Sequence, residues 1–247
     1  MSYNFFDKIY CINLKSRKDR YNLATQTFKN LNIHNVEFYI TDKSPQGGEY
    51  GCFESHINVI KKAYYAGYNN ILIFEDDVKP SNFYDSKLLE IAINFMKYSY
   101  QWDIFYLGYA VYNSDWNPLI FSKKINNHII NFNPLHTSAY CLNKNSMLKI
   151  LTNYKNYINN IPIDKFYTYK KYFNNYCIIP LLFNQHACLD SDIDTDRVNQ
   201  TRGLQCFYDN INFHSNITFI YSNSHKIIFL FILIIIFYFY FYHNKIN

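Results

Sequence analysis

The apolar run Ile71-Leu72-Ile73-Phe74 passes directly into three acidic residues, Glu75, Asp76 and Asp77. A short run of β-branched and aromatic residues that follows turn formers predicts a strand buried on both faces. Such a strand needs cover on two sides, so this run constrains the fold to a sheet flanked by helices. It also sets an acidic cluster at the strand's carboxyl end.

Strand and helix patterns alternate along the first part of the chain. Strand-like runs lie at 9–14, 36–40, 71–74 and 103–108, and helical spacing covers 19–31, 49–66 and a stretch that begins near Ser86, its predicted N-cap. This order predicts βαβ units and therefore an α/β fold with a mainly parallel sheet. Beyond residue 109 the pattern is weaker, with strands predicted near 137–142 and 177–182 and a helix near 146–157.

Three adjacent carboxylates repel one another, and folding gains nothing from crowding them. A divalent cation would relieve this repulsion, and oxygen ligands suit Mg²⁺ or Mn²⁺. Ligands of open α/β sheets bind just outside the carboxyl ends of the strands. Glu75, Asp76 and Asp77 are therefore candidate metal ligands. The alternative is a solvated acidic turn after a strand.

A second polar cluster follows the first predicted strand. Asn13, Arg17 and Arg20 lie between that strand and the first turn of the next helix. Two arginines at a helix N-terminus favour an anion, because the helix dipole, the free N–H groups and the guanidinium charges act together. We expect these residues to contact a phosphate group. A solvated helix start is the alternative.

The segment Gly48–His56 opens the second predicted helix. Cys52 and His56 are four residues apart and share one helix face. Gly51 would let another part of the chain approach closely. Considered alone, His56 is better explained as a hydrogen-bonded core histidine.

Charge and cysteine usage exclude several classes of function. The net charge is +5 and the basic residues are scattered, so the basic stripe of a nucleic-acid-binding protein is missing. The first residues do not match a secretory signal peptide, and we expect free thiols. The six cysteines contain no CxxC pair, which argues against zinc.

The end of the sequence is strongly apolar. Ile227–Tyr242 is an unbroken apolar and aromatic run flanked by basic residues. As a helix it would extend roughly 24 Å, somewhat less than the roughly 30 Å hydrocarbon core. We expect a catalytic domain over 1–203, a linker over 204–225 and a single-pass membrane anchor over 226–243, with the catalytic domain in the cytosol. A buried C-terminal element is the alternative.

Taken in order, these segments resemble glycosyltransferase family 25, the lipopolysaccharide-biosynthesis and collagen-galactosyltransferase-like group. Its members look like an INL-x-x-R-x-x-R start, a GE-x-GC-x-x-SH helix and an LEDD metal motif. The resemblance covers roughly residues 8 to 197. Further matching segments are Trp102–Gly108, His136-x-x-Ala139-Tyr140, Ile161–Asp164, Pro180–Gln185 and Ser191–Ile193.

The resemblance implies a nucleotide-diphosphosugar transferase fold of the GT-A type, a Mn²⁺ or Mg²⁺ ion and sugar transfer with inversion. The donor would be a nucleotide sugar, with a UDP-sugar first, and the acceptor a hydroxyl of a glycan, a lipid-linked glycan or a protein. Asp164 is our first candidate for the catalytic base and Glu49 the second. Ser55, His56 and His136 would lie on the donor side, and His136 or His186 could add a metal contact.

Two other functional classes remain open at this point. A metal-dependent phosphohydrolase could use a similar carboxylate-tipped sheet, but it also needs a nucleophilic aspartate with ordered partners, and no such pattern is present. A catalytically inactive, membrane-anchored adaptor of the same descent would keep the fold without turnover.

Overall fold

A computed structural model describes residues 2–99, 101–113, 115, 117–186, 189, 192 and 211–223. Its strands are β1 (Lys8–Leu14), β2 (Val36–Thr41), β3 (Asn70–Glu75), β4 (Val78–Pro80), β5 (Ile104–Gly108), β6 (Lys123–Lys124), β7 (Ile129–Asn131), β8 (Ala139–Asn143), β9 (Asn175–Ile178) and β10 (Phe183–Gln185). Its helices are α1 (Lys18–Asn30), α2 (Gly48–Tyr65), α3 (Ser86–Tyr98), α4 (Lys144–Asn153), α5 (Ile163–Tyr167) and α6 (Phe213–Asn223). Short 3₁₀ turns occupy Ser2–Phe5, Leu119–Phe121 and Tyr154–Asn156.

A large mixed sheet forms the centre of the fold. Its strand order is β2-β1-β3-β8-β5-β9-β7-β6. All of these strands except β7 and β8 run in one direction, so the sheet is mostly parallel, as predicted. A separate antiparallel pair joins β10 to β4.

Helices cover both faces of the sheet. Successive residues of a strand point to opposite faces, so each buried strand contributes side chains to both sides. On β1, Tyr10 belongs to the core cluster that also contains residues of α2, α4, α5 and α6, whereas Ile9 and Cys11 belong to the cluster that contains residues of α1 and α3. On β3, Ile73 and Phe74 divide in the same way, and both are fully buried. The predicted burial of β3 on two faces is thereby confirmed.

Several element boundaries differ from the sequence-based expectation. Asp85, rather than Ser86, caps α3: its carboxylate accepts a hydrogen bond of 2.8 Å from the Lys87 backbone N–H. The strand expected near 177–182 is β9, which ends at Ile178. The short strands β4, β6, β7 and β10 were not predicted, because two or three residues carry no readable periodicity.

The linker predicted over 204–225 is wrong for residues 213–223, which form α6. Ile217 and Tyr221 are buried in the core, and the Thr218 hydroxyl accepts a hydrogen bond of 3.1 Å from the Leu181 backbone N–H. The buried face of α6 also includes Ser215. Hydroxyl groups interrupt the apolar stripe, which is why no helical pattern was evident.

No helix within the described residues is long and apolar enough to cross a membrane. The predicted anchor over 226–243 lies outside them.

Gly108, the last residue of β5, lies in close contact with the backbone of β10. An added Cβ would lie 2.8 Å from the Phe183 carbonyl oxygen and 3.0 Å from the Ser138 hydroxyl.

We expect Gly108→Ala to lower the free energy of unfolding by about 1–3 kcal/mol, because a backbone carbonyl cannot easily move away. Urea unfolding measures this change. Lys87→Ala on the exposed face of α3 is the control, with an expected change within about 0.5 kcal/mol; equal effects of the two substitutions would contradict the close contact.

Candidate functional site

The carboxyl ends of β1 and β3 lie side by side at a reversal of the strand order. The chain passes from β1 to β2 on one side of β1 and then returns to place β3 on the other side. A crevice forms at such a reversal, and ligands of open α/β sheets bind there. Ile12 pairs with Glu75 in the register of the two strands, so the polar residues that follow each strand meet.

Asn13 and Asp76 make the first contact across this crevice. The Asn13 side-chain amide donates a hydrogen bond of 2.6 Å to Asp76 Oδ2, and a second one of 3.2 Å to the Arg17 carbonyl. Both Asn13 and Asp76 are buried. Asn13 therefore holds the acidic turn against the start of α1.

Arg20 lies between two of the three carboxylates. From the first turn of α1, its Nη1 reaches Asp76 Oδ1 at 2.9 Å and Asp77 Oδ2 at 3.3 Å. Burial lowers the pKa of Arg20, but the charges of Asp77 and Asp76 more than offset it, so the guanidinium stays protonated. The predicted repulsion among the carboxylates is thus relieved in part by this arginine.

Asp77 lies in a negatively charged environment despite its contact with Arg20. Burial raises its pKa, Arg20 acts against this, and Glu75 and Asp76 raise it further, to about 7. Its Oδ1 atom is buried and has no hydrogen-bond partner among the described residues. A buried carboxylate oxygen without a partner is costly unless something else binds it.

Glu75 lies on the other side of the crevice from Arg20. Its Oε1 accepts a hydrogen bond of 2.5 Å from the Thr137 hydroxyl, and its Oε2 accepts one of 3.0 Å from the Gln185 amide. His56 Nε2 lies 3.3 Å from Oε1. Burial raises the pKa of Glu75, but the adjacent His56 imidazole and the hydrogen bond from Thr137 outweigh it, so the pKa lies below its ordinary value.

His56 is fully buried in the middle of α2. Its Nδ1 lies 2.7 Å from the Tyr140 hydroxyl, which in turn lies 3.3 Å from the Tyr167 hydroxyl. The core-histidine interpretation therefore accounts for Nδ1, whereas Nε2 faces Glu75 and Cys52. Cys52, His56 and Glu75 bring ligand atoms within 4.8 Å of one another, and they are the only such group of three among the described His, Cys, Asp and Glu residues.

Other residues of the predicted α2 motif serve the fold. Ser55 is buried and its hydroxyl donates a hydrogen bond of 2.6 Å to the Gly51 carbonyl, which uses its only proton inside the helix. This contact gives Ser55 a structural role within α2, and its predicted donor contact stays a prediction. At Gly51, an added Cβ would lie 2.8 Å from the Ser44 Cβ, which fits the close approach expected there.

The two predicted catalytic carboxylates have different surroundings. Asp164 accepts hydrogen bonds of 3.1 Å from the His136 backbone N–H and 2.7 Å from the Lys165 backbone N–H. This attaches Asp164 to the segment that carries Thr137, a contact of Glu75. Glu49 is exposed on the first turn of α2. The structure therefore brings Asp164, and not Glu49, into the hydrogen-bonded network of the site.

The histidines of the later motifs lie at the edge of the site. His136 has a positive φ of 69° and its charge acts on Glu75. Its ring lies 5.9 Å from that of His214, a residue of α6 that the sequence did not suggest. Burial, with a smaller effect of His136, lowers the pKa of His214 to about 3. The His186 backbone N–H donates a hydrogen bond of 2.7 Å to the Asp77 carbonyl, so it fixes the backbone of the acidic turn.

Both arginines that were expected to bind a phosphate are paired with carboxylates. Arg17 contacts Asp19 at 2.6 Å and Asp192 at 2.7 Å, and Arg20 contacts Asp76 and Asp77. A phosphate would have to replace some of these partners. Asp192 belongs to the last of the matching sequence segments, and its contact brings that segment to the start of α1.

The carboxylates differ in how well they fit a hard divalent cation. Asp77 Oδ1 is buried without a hydrogen-bond partner in the described part of the chain, which suits a metal ligand. Asp76 fits less well, because Arg20 and Asn13 occupy one oxygen each. Glu75 also has a partner at each oxygen. The metal roles of these three residues remain predictions, with Asp77 the best placed.

Breaking the buried pairs of Arg20 tests what holds the crevice together. We expect Arg20→Ala to lower the free energy of unfolding by about 3 kcal/mol, because it leaves buried carboxylates without their cation. Lys8→Ala is the matched control: its pair with Glu37 at 2.8 Å is partly exposed, and such pairs contribute about 1 kcal/mol or less. Urea unfolding of both variants measures the difference, and equal losses would contradict a buried structural ion pair.

Comparison with known sequences identifies relatives of this chain. Human procollagen galactosyltransferase 2 is 30% identical over an alignment 129 residues long, which covers 42% of this chain and 21% of that protein. Human inactive glycosyltransferase 25 family member 3 is 22% identical over an alignment 207 residues long, which covers 73% of this chain and 32% of that protein. The chain thus spans between a fifth and a third of these relatives' lengths.

A solved glycosyltransferase involved in glycosylation of the major capsid of PBCV-1 superposes with a TM-score of 0.46 at 13% identity, covering 83% of this chain and 99% of that one. The family model described as glycosyltransferase family 25 (LPS biosynthesis protein) matches residues 42–167, slightly more than half of the sequence. The match includes α2, the acidic turn after β3 and Asp164. The chain belongs to glycosyltransferase family 25.

Proposed function

We propose that this chain is a metal-dependent glycosyltransferase of the GT-A type, which moves a hexose from a nucleotide-diphosphate donor to a hydroxyl group. The observation that carries the proposal is the buried, unpartnered Asp77 oxygen at the strand reversal, in a chain of this family. A divalent cation bound there would stabilise the charge that develops on the leaving diphosphate. Mn²⁺ or Mg²⁺ suits the oxygen ligands.

The residues around Asp77 would position the donor. Asn13 and Arg20 hold the acidic turn, and Glu75 is fixed by Thr137 and Gln185. Arg17 and Arg20 supply positive charge at the start of α1, and the diphosphate would take over part of their present pairing with carboxylates. A UDP-sugar is the proposed donor. Galactose comes first, because the human relative is named a procollagen galactosyltransferase.

Asp164 is the proposed catalytic base. The acceptor hydroxyl, on a glycan, a lipid-linked glycan or a protein, gives its proton to Asp164 while its oxygen attacks the anomeric carbon. The bond from that carbon to the diphosphate oxygen breaks on the opposite side, so the configuration inverts. Backbone N–H groups of His136 and Lys165 orient the Asp164 carboxylate for this step.

Replacing the acidic ligands tests the proposed chemistry directly. We expect Asp77→Asn and Glu75→Gln to lower the release of UDP from UDP-galactose by roughly 100-fold or more, because charge stabilisation of the leaving group is lost. Glu37→Gln is the control. Glu37 lies on β2, where its carboxylate pairs with Lys8 and Lys62, and this variant should keep full activity.

Metal removal completes this test. Chelation with EDTA should abolish UDP release and added Mn²⁺ should restore it. Release of inorganic phosphate without an acceptor would favour the phosphohydrolase alternative and contradict glycosyl transfer.

Comparison of Asp164→Asn with Glu49→Gln tests the base. We expect Asp164→Asn to lower kcat for transfer by about 10²- to 10⁴-fold and to leave the affinity for UDP-galactose unchanged. Glu49→Gln should change neither quantity appreciably, because Glu49 is exposed. Steady-state kinetics and calorimetry measure the two quantities. A larger loss in Glu49→Gln would transfer the role to Glu49.

A second candidate function is a non-catalytic adaptor, favoured by one relative that is named inactive and matches 73% of this chain. Calorimetry with UDP-galactose in the presence and absence of Mn²⁺ separates the two candidates. The enzyme should show metal-dependent binding and turnover, whereas an adaptor that has lost the donor site should show neither.

A further inference from the structure

Three side chains of different chemical type meet beside the acidic turn. Cys52 offers a sulfur atom, His56 an imidazole nitrogen and Glu75 a carboxylate oxygen, and these atoms lie within 4.8 Å of one another. Mg²⁺ and Mn²⁺ prefer oxygen ligands, whereas a mixed sulfur, nitrogen and oxygen set suits Zn²⁺. This group therefore differs in kind from the oxygen-only environment of Asp77.

Two separate elements produce the cluster. Cys52 and His56 lie one helical turn apart on α2, so they present their side chains on the same face. Glu75 comes from the end of β3, and the ligand atoms of the three residues meet there. The sequence argued against zinc because it has no CxxC pair, but ligands assembled across a helix and a strand leave no such signature.

The imidazole of His56 is the central observation. It is fully buried, and its Nε2 has no hydrogen-bond partner among the described residues. It lies 3.3 Å from Glu75 Oε1. Zinc-to-ligand bonds of roughly 2.0–2.3 Å in a tetrahedron set neighbouring ligand atoms roughly 3.3–3.8 Å apart, so this pair already has a suitable spacing.

The surroundings orient the ligands as they do in known zinc sites. A metal-bound histidine usually donates its other N–H to an oxygen atom. Tyr140 provides that oxygen 2.7 Å from Nδ1, and its own hydroxyl proton can be directed to Tyr167. His56 then presents the Nε2 lone pair to the cluster. Thr137 and Gln185 fix the Glu75 carboxylate.

The local charge also favours a cation. Glu75 contributes a carboxylate to the cluster, and a bound cation would offset its negative charge. Cys52, which carries the sulfur atom, is partly exposed.

We propose that Cys52, His56 and Glu75 form a zinc-binding site, which is separate from the hard-cation position at Asp77 and shares Glu75 with the proposed donor site. The inference goes beyond the proposed function, because it concerns binding of a second kind of metal. Zinc bound here would occupy the carboxylate of Glu75.

Metal titration of the intact, metal-free chain tests the site. The variants are Cys52→Ser, which keeps the size of a partly exposed side chain, and His56→Gln. Matched controls are Cys177→Ser, a buried cysteine on β9, and His128→Gln, a half-buried histidine away from the cluster. Zn²⁺ and Mn²⁺ are titrated by calorimetry, Co²⁺ is followed by absorption, and thermal melting checks that each variant is folded.

The expected result is one Zn²⁺ per chain and a thiolate-to-cobalt charge-transfer band that Cys52→Ser removes. Both site variants should weaken Zn²⁺ binding by roughly 100-fold or more, since loss of a residue that only orients a metal ligand already costs roughly 10- to 100-fold. The controls should keep wild-type binding. A cobalt spectrum without the thiolate band, or Zn²⁺ affinity unchanged in folded Cys52→Ser, would overturn the proposal. Either outcome is independent of whether UDP is released, so this proposal and the glycosyltransferase proposal fail separately.

Discussion

The interaction on which the site depends is the buried pairing of Arg20 with Asp76 and Asp77. Three carboxylates at the end of a buried strand would otherwise repel one another in a setting of low polarity. One guanidinium from the first turn of α1 offsets part of this charge and ties the helix to the turn. It leaves one Asp77 oxygen without a hydrogen-bond partner in the described structure, and this is the position that we propose for a cation.

Glu75 faces a different environment from its two neighbours. Asp76 and Asp77 turn towards α1 and the arginine, whereas Glu75 turns towards α2, where His56 and Cys52 lie. The acidic turn thus separates a hard oxygen environment from one that contains sulfur and nitrogen. The carboxyl end of β3 therefore has two proposed metal sites, one for Mn²⁺ or Mg²⁺ at Asp77 and one for Zn²⁺ at Glu75.

Long, regular elements could be predicted from the sequence and short ones could not. The hydrophobic periodicity identified β1, β3 and the long helices because each buries a set of its own residues. It also identified β2, whose residues are only partly buried. The pair β4 and β10 depends on contacts between residues roughly 100 positions apart, which no local pattern encodes. Helix α6 was missed because its buried face carries hydroxyl groups whose partners lie in other parts of the chain.

Within the site, residue types were predictable but their partners were not. Motif spacing identified Asn13, Arg20, His56 and the acidic turn. It could not reveal that Thr137 and Gln185 hold Glu75, or that Ser55 bonds within its own helix, because those contacts arise only from tertiary packing. The catalytic role of Asp164 and the metal-binding roles of the acidic turn are inferred from their chemistry and remain proposals.

The most direct test of the central claim is anomalous diffraction from crystals grown with Mn²⁺ and UDP. The account predicts an anomalous peak bonded to Asp77 Oδ1 and to the diphosphate of UDP, outside the ends of β1 and β3. UDP bound with its diphosphate elsewhere, or bound at this crevice with no manganese at Asp77, would contradict it.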